Sequence, residues 1–237
     1  EAEQIWIDAV GLPPDRIQRL DKDNFWEMGD TGPCRPSSEI FWDYGAEAGP
    51  AGGPANPDAE NRYVEIWNLV FPQYFRGVDG SLSDLPKPGI DTGAGLERML
   101  TALNGTTTVY DVDPLQRLVQ VAQSITGRSL GDDDRTDVAL KVLADHSRTM
   151  TFLVADGIVP SNEDRGYVLR RIIRRAVRYA YLLGVERDLS ERLVGAVVDA
   201  MADGYPELRA DHDRIVVIVS PEEEPFPETL KRGTALH

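Results

Sequence analysis

The sequence predicts an α+β protein in which a strand-rich first part is followed by an all-helical second part. In the first part, residues 63–71 (YVEIWNLVF) are mostly β-branched or aromatic and contain no Gly or Pro, which is typical of a strand. In the second part, apolar residues recur at helical spacing in successive segments. We place the boundary between residues 105 and 106. A chain of 237 residues is long enough for two modest domains, each with a core.

The first part is expected to begin with an amphipathic helix over residues 1–10 and a short strand over residues 16–20. Gly and Pro residues argue against regular structure in the middle of residues 24–43, so we expect an ordered loop that leads into a strand from Glu39 to Tyr44. Residues 76–83 contain Asp79-Gly80 and predict a hairpin or loop.

The strand at residues 63–71 carries one polar residue on an otherwise apolar face. Its alternation places Val64, Ile66, Asn68 and Val70 together. Asn68 is either an amide that is hydrogen-bonded inside a core or a residue that binds a ligand. The same choice applies to Trp26, because core packing is the commoner role of a tryptophan.

Residues 87–100 (KPGIDTGAGLERML) predict a short strand at Ile90, a glycine-containing turn and a helix from Leu96. Gly93 and Gly95 would allow close backbone approach at a helix N-terminus, where phosphate groups bind favourably. The pattern lacks the Lys-Ser/Thr of a P-loop and the spacing of a dinucleotide-binding motif. On the pattern alone, Arg98 could equally form a surface salt bridge and Asp91 could cap a helix.

The most distinctive segment is a helix with six arginines and no acid between Arg165 and Arg178, in a chain of net charge −15. On a helix, most of these arginines share one face and apolar side chains fill the other. The guanidinium group matches phosphate oxygens two at a time, so this face is a candidate contact with an RNA backbone. The alternative is a solvated face that is paired with acids from neighbouring segments. The arginines that share this face are Arg170, Arg171, Arg174, Arg175 and Arg178, and Arg165 stands at the start of the segment.

The rest of the second part is predicted to be a helical bundle. Ser161 or Asn162 can cap the arginine-rich helix. Pro225 and Pro227 should break or fray a final helix over residues 222–236. The other predicted helices cover residues 111–125, 136–153, 189–201 and 207–219.

Composition excludes several classes of protein. The single cysteine, Cys34, rules out an internal disulfide framework and fits a reducing compartment. No apolar run approaches the roughly 20 residues of a membrane span. His146 has no second His or Cys at metal-binding spacing, so no metal site is assigned. The chain begins at Glu1 without Met, within a predicted helix, so we expect an excerpt of a longer protein.

Four segments together resemble the alanyl-tRNA synthetases, a family of class II aminoacyl-tRNA synthetases. These are NFWEMGDTGPC, YVEIWNLVF, LPKPGIDTGAGLERML and the long run ADHSRTMTFLVADGIVPSNEDRGYVLRRIIRRAVRYA. The resemblance implies that residues 1–105 form the C-terminal half of a class II antiparallel-sheet catalytic domain, including motif 3. It implies that residues 106–237 begin the helical tRNA-recognition domain.

The resemblance implies activation of alanine by ATP with Mg²⁺ and transfer to the 3′ end of tRNA(Ala), without a protein nucleophile. Asn162 would read the G·U pair of the acceptor stem, but its acidic partner in the family lies beyond His237. The family's editing-region zinc is not expected in this chain, and its location should be cytoplasmic. The implied alanine-binding residues are Trp26, Asn68, Val70 and Asp91; the ATP-binding residues are Gly93, Gly95 and Arg98; the tRNA-binding residues are Arg148, Asn162 and the six arginines.

The sequence departs from the family at several positions. The usual GPCGPC reads GPCRPS, so Arg35 replaces a glycine and Ser37 a cysteine; Arg35 would strain the loop if that glycine had a positive φ. Pro72 replaces a methionine. Because motifs 1 and 2 are not matched, the isolated chain is not expected to aminoacylate. The alternatives are a non-catalytic RNA-binding module derived from this family and, less well supported, a purely structural helical scaffold.

Overall fold

The computed structural model describes residues 1–185 and 188–223, and the α+β class expected from the sequence is confirmed. The chain divides into two compact units, one spanning Glu1–Val109 and the other beginning at Tyr110. The first is built on a sheet and the second on helices. The expected effect of Pro225 and Pro227 on a final helix lies outside the described residues.

The first unit contains six strands: β1 (Phe25–Glu27), β2 (Gly32–Asp43), β3 (Tyr63–Val70), β4 (Tyr74–Arg76), β5 (Leu82–Asp84) and β6 (Asp91–Ala94). They form an antiparallel sheet with strand order β5-β4-β2-β3-β6, and β1 pairs with β2 beside this path. The first half of the long strand β2 pairs with β1 and β4, and its second half pairs with β3. The hairpin expected around Asp79-Gly80 is present between β4 and β5.

Two helices accompany this sheet, α1 (Ala2–Asp8) and α2 (Leu96–Asn104). The indole nitrogen of Trp6 in α1 donates a hydrogen bond to Ser38 Oγ in β2 at 2.8 Å. Helix α2 ends at Gly105, whose left-handed backbone (φ 67°) is a common C-terminal cap.

Three expectations for the first unit were wrong. The strand expected at residues 16–20 is a short 3₁₀ turn (Pro14–Arg16) followed by irregular chain, because Leu20 N donates to the Asn24 side chain instead of to a strand. The loop expected before Glu39 is strand, since the carbonyls of Pro33 and Pro36 still accept backbone hydrogen bonds. Gly93 lies within β6 and not in the turn that follows it.

The second unit is a bundle of helices around one apolar core. Its helices are α3 (Leu115–Thr126), α4 (Asp134–Ala155), α5 (Asp164–Leu182), α6 (Leu189–Met201) and α7 (Glu207–Val219). Their apolar faces meet in a fully buried set that supplies most of the favourable free energy of folding. This set includes Leu140, Leu143, Met150, Leu169, Ile173, Leu193, Leu208 and Ile215.

The start of α5 differs from the expected cap. Glu163 occupies the N-cap position, and neither Ser161 nor Asn162 caps the helix with its side chain. Ser161 Oγ instead donates to the Glu163 carbonyl at 2.7 Å, which fixes the turn before the helix. Gly166 is buried against that turn, where a Cβ atom would lie 2.5 Å from the Val159 carbonyl oxygen. A glycine is therefore required for this close approach.

Candidate functional site

The first candidate site lies on neighbouring strands of the sheet. Val70 is directly opposite Asp91 in the β3–β6 pair, and Trp26 is directly opposite Arg35 in the β1–β2 pair. The Arg35 guanidinium lies 4.3 Å from the centre of the Trp26 ring, and its Nη2 lies 3.4 Å from Asp91 Oδ2. Arg35 therefore connects two of the residues expected to bind alanine. We call Trp26, Arg35, Val70 and Asp91 the sheet cluster.

Arg35 lies in regular extended strand, and it is not among the described non-glycine residues with positive φ. The expectation that Arg35 might strain the backbone was therefore wrong. Its side chain is only 12% exposed, whereas that of Asp91 is 66% exposed. The Arg35 Nε atom is buried without a hydrogen-bond partner, which carries a desolvation cost. The guanidinium thus stacks on Trp26 and contacts Asp91 with an incomplete set of hydrogen bonds.

Asn68 lies between Glu39 of β2 and Gly93 of β6 in the sheet register. Its amide nitrogen donates to Glu39 Oε1 at 3.2 Å, and its Oδ1 is buried without a partner. Burial raises the pKa of Glu39, and the negative charges of Glu65 and Asp23 raise it further. One half of the Asn68 amide is thus engaged, and the other half has an unused acceptor.

The glycine-containing segment brings Arg98 against β3. Gly95 is the N-cap of α2, and its N–H donates to the Ile66 carbonyl at 3.0 Å. Arg98 donates to the Glu65 carbonyl at 3.0 Å and lies 3.6 Å from the Glu65 carboxylate. Its side chain is half exposed. A Cβ at Gly95 would press on the Arg98 side chain at about the closest tolerated distance, 3.2 Å, so Gly95 leaves space for it.

The second candidate site is the set of six arginines on α5 between Arg165 and Arg178, which we call the cationic face. Apart from the partly buried Arg170, these arginines are exposed. Arg171 lies 5.7 Å from the Tyr167 ring and Arg175 lies 5.9 Å from the Tyr179 ring. Within residues 1–185 and 188–223, no carboxylate forms an ion pair with Arg165, Arg171, Arg175 or Arg178.

Two arginines of the cationic face do pair with an acid of the same chain. Glu222 is 8% exposed and accepts hydrogen bonds from Arg170 Nε at 2.9 Å and Arg174 Nε at 3.0 Å. Arg170 also donates through Nη1 to the side-chain oxygen of Asn162. The alternative of pairing with neighbouring acids therefore holds for part of the face, and the remaining arginines keep their charge available.

Arg148 is partly buried on α4, near the side chains of Asp145 and Tyr110. The hydrogen bond from His146 lowers the pKa of Asp145, and the positive charges of Arg148 and Arg175 act in the same direction. Burial raises the pKa of the Tyr110 hydroxyl. Arg148 is thus less exposed than every arginine of the cationic face except Arg170.

Two contacts of the sites were missed by reasoning from the sequence. Glu65 contacts Arg98 and was not among the residues predicted to take part in a site. Glu222 is separated from Arg170 by 52 residues, so no local spacing could indicate the pair. A detectable signal did exist for Arg35, because it stands where the resembled family has glycine.

Neither a metal site nor a membrane span is found in the part of the chain that the structure describes. No set of three or more His, Cys, Asp or Glu side chains there could hold a metal ion. No described helix combines the length and apolar character needed to cross a bilayer.

The chain is similar to proteins of one family along its whole length. The family model described as "tRNA synthetases class II (A)" matches residues 1–237. The protein named alanine–tRNA ligase from Thermobifida fusca (strain YX) is 51% identical over 245 residues. Proteins of the same name from Acidithiobacillus ferridurans and Chromohalobacter salexigens are 48% and 50% identical over 238 residues. Each match covers 100% of this chain but only 27% of the relative, so the chain spans about a quarter of the length of these curated relatives.

Proposed function

Because the chain belongs to the class II (A) tRNA synthetases, we propose that it is part of an alanine–tRNA ligase. Such an enzyme activates alanine with ATP and transfers it to the 3′ end of tRNA(Ala). The observation that carries this proposal is identity of about half, along the entire chain, to relatives with that name. We assign the sheet-based unit to the C-terminal half of the catalytic domain and the helical unit to the start of the tRNA-recognition domain, in a cytoplasmic enzyme.

In the sheet cluster, Asp91 would bind the α-ammonium group of alanine through a charge-assisted hydrogen bond. Val70 lies directly across from Asp91 and is nearly buried, so it would pack against the alanine methyl group. Trp26 would form a wall of the pocket, and Asn68 Oδ1 offers an unused acceptor beside it. These residues would bind and orient the substrate, and catalysis of this kind rests on such positioning together with electrostatic stabilisation.

The strand-to-helix segment would bind ATP. Arg98 carries the positive charge, and Gly93 and Gly95 permit close approach of the nucleotide. The guanidinium of Arg98 is half exposed, so it can exchange its contact with Glu65 for a phosphate or an adenine ring. Magnesium accompanies ATP in this class. The described residues assemble no carboxylate set that fits the ion, so we assign no magnesium ligand in this chain and no step through the metal.

The cationic face would contact the phosphate backbone of the tRNA acceptor stem, with Arg148 and Asn162 as further RNA contacts. Four of its arginines have no ion pair with a described carboxylate, which favours binding of an outside polyanion. The alternative of a non-catalytic RNA-binding module is not favoured. Arg35 causes no backbone strain, and Pro72 follows the end of β3, where its carbonyl accepts from Gly89 N.

The proposal is tested by alanine-dependent exchange of pyrophosphate into ATP, using the native gene product. We expect exchange with alanine and a rise in the KM for alanine of about 10- to 100-fold in Asp91→Asn, because a hydrogen bond to a charged group contributes about 1.5–3 kcal/mol. Asp84→Asn is the matched control, since Asp84 is exposed on β5 at the other end of the strand order. The 237-residue chain alone should give no exchange above background. Absence of alanine-dependent exchange by the native product would contradict the proposal.

A further inference from the structure

Glu222 is a buried acid that pairs with two arginines of the cationic face. It lies in the short 3₁₀ turn after α7 (Ser220–Glu222) and is 8% exposed. Its two oxygens accept separately from Arg170 and Arg174, which lie one helical turn apart on α5. A buried carboxylate that holds two guanidinium groups fixes their rotamers, and breaking such a pair leaves an uncompensated charge.

The Glu222 contact continues to Asn162 at the start of α5. Arg170 Nε and Nη2 face Glu222, while Nη1 donates to Asn162 Oδ1. An amide whose oxygen already accepts a hydrogen bond has a defined orientation, with its NH₂ group directed elsewhere. Asn162 is exposed, and within the described part of the chain no residue accepts a hydrogen bond from its nitrogen.

We propose that Glu222 is a positioning residue which, through Arg170, orients the Asn162 amide so that its NH₂ group donates to a base edge of bound RNA. This rests on the proposed function, in which the acceptor stem lies against the cationic face. A-form RNA presents its base edges in a wide, shallow minor groove, where an oriented donor distinguishes one pair from another. Contacts from the other arginines to phosphates position the RNA but carry no sequence information.

The same contacts could serve only stability, because Glu222 also ties the turn after α7 to α5. The structural role and the positioning role can be distinguished by replacing Glu222 with glutamine, which is neutral and of similar size. Glu222→Gln removes one negative charge beside the cationic face, so affinity for any RNA should stay the same or rise. Orientation of the amide should be lost, so preference for one base pair should fall.

The experiment measures binding of two RNA stem-loops to the full chain by fluorescence anisotropy at one fixed salt concentration. One carries the tRNA(Ala) acceptor stem with its G·U pair, and the other has G–C at that position. We expect wild type to prefer the G·U stem by at least about 5-fold, because one base contact contributes about 1–3 kcal/mol. Both Glu222→Gln and Asn162→Ala should bring this ratio close to one, and the double variant should lose no more than either single variant.

Glu223→Gln is the matched control. Glu223 is adjacent, but its carboxylate accepts from Leu189 N and Ser190 N at the start of α6, both at 2.9 Å. It should keep the wild-type ratio, and helix content by circular dichroism should be alike in all variants. If Glu222→Gln fails to fold, Arg170→Lys carries the test, because lysine keeps the charge but cannot contact both partners as a planar fork.

The results distinguish the positioning role of Glu222 from RNA binding by the cationic face. Loss of the ratio in Glu222→Gln and Arg170→Lys, with the ratio kept in Glu223→Gln, supports the positioning role. If Asn162→Ala loses the ratio but Glu222→Gln keeps it, or if the two losses are additive, the positioning role is wrong while RNA binding stands. If wild type binds neither RNA, the proposed RNA contact fails and the positioning role fails with it.

Discussion

Replacing Arg35 with glycine should weaken folding and strengthen alanine binding at the same time. The Arg35 guanidinium lies on Trp26 at 4.3 Å and beside Asp91 at 3.4 Å, where the α-ammonium of alanine is proposed to bind. Both are cations that seek the same carboxylate. If alanine binds there as proposed, it must displace the guanidinium or share Asp91 with it, and removal of Arg35 should relieve that competition.

The size of each effect follows from the exposure of the two partners. Because Asp91 is 66% exposed, its pair with Arg35 is strongly solvated, and such pairs contribute about 0.2–1 kcal/mol. Release of that pair lowers the Kd for alanine by about 1.4- to 5-fold. Stacking of Arg35 on Trp26 adds about 0.5–2 kcal/mol to folding, and glycine within a strand costs a further 0.5–1 kcal/mol, approximately. The total loss of folding stability should be roughly 1–4 kcal/mol.

Two assays follow the two effects. Urea unfolding of the chain gives the change in stability, and the KM for alanine in pyrophosphate exchange by the native gene product reports the change in binding. Arg35→Lys is the control, since lysine keeps the positive charge but stacks less well; its KM should stay near that of wild type. A KM that rises in Arg35→Gly would refute the competition and would mean that Arg35 helps to hold the amino acid.

Two further predictions concern folding. In Gly166→Ala, the added Cβ meets the Val159 carbonyl oxygen at 2.5 Å, so stability should fall by about 1–3 kcal/mol; Gly195→Ala, whose Cβ has His212 Nε2 at 3.9 Å as its nearest contact, should gain about 0.5–1 kcal/mol. Equal effects of the two substitutions in urea unfolding would contradict this. Burial and neighbouring acids raise the pKa of Glu39, so the folded state retains its proton to higher pH than the unfolded state. Stability therefore falls as pH rises from the ordinary glutamate pKa of about 4.5 through the raised pKa of the folded state. Glu39→Gln should remove that fall, and parallel pH profiles of the urea midpoint would exclude the effect.

Local sequence patterns correctly predicted those strands and helices in which the apolar residues recur at regular spacing. The strand β3 and the helices of the second unit follow their alternating or helical spacing closely. The first half of β2 was missed because prolines were taken to exclude a strand, whereas proline removes only a donor and its carbonyl still pairs. The strand expected at residues 16–20 failed because those residues have no partner strand to complete their hydrogen bonds.

The residue types and motifs of the candidate sites could be identified from the sequence, but the contacts among those residues could not. The opposition of Val70 and Asp91 depends on sheet register, and the contact of Arg170 with Glu222 depends on the packing of distant segments. Neither is encoded in local spacing. The charge of the arginine-rich helix was visible in the sequence, but its division into paired and available arginines required the fold.

The central claim is that one protein activates alanine at the sheet cluster and transfers it to a tRNA that lies on the cationic face. It is tested most directly by comparing two reactions in the native gene product and in the variant Arg171→Glu/Arg175→Glu. We expect wild type to charge tRNA(Ala) with alanine, and the variant to keep alanine-dependent pyrophosphate exchange while it loses charging. If exchange and charging fall together, or if both survive the reversal of charge, the cationic face does not serve the tRNA and the claim is wrong.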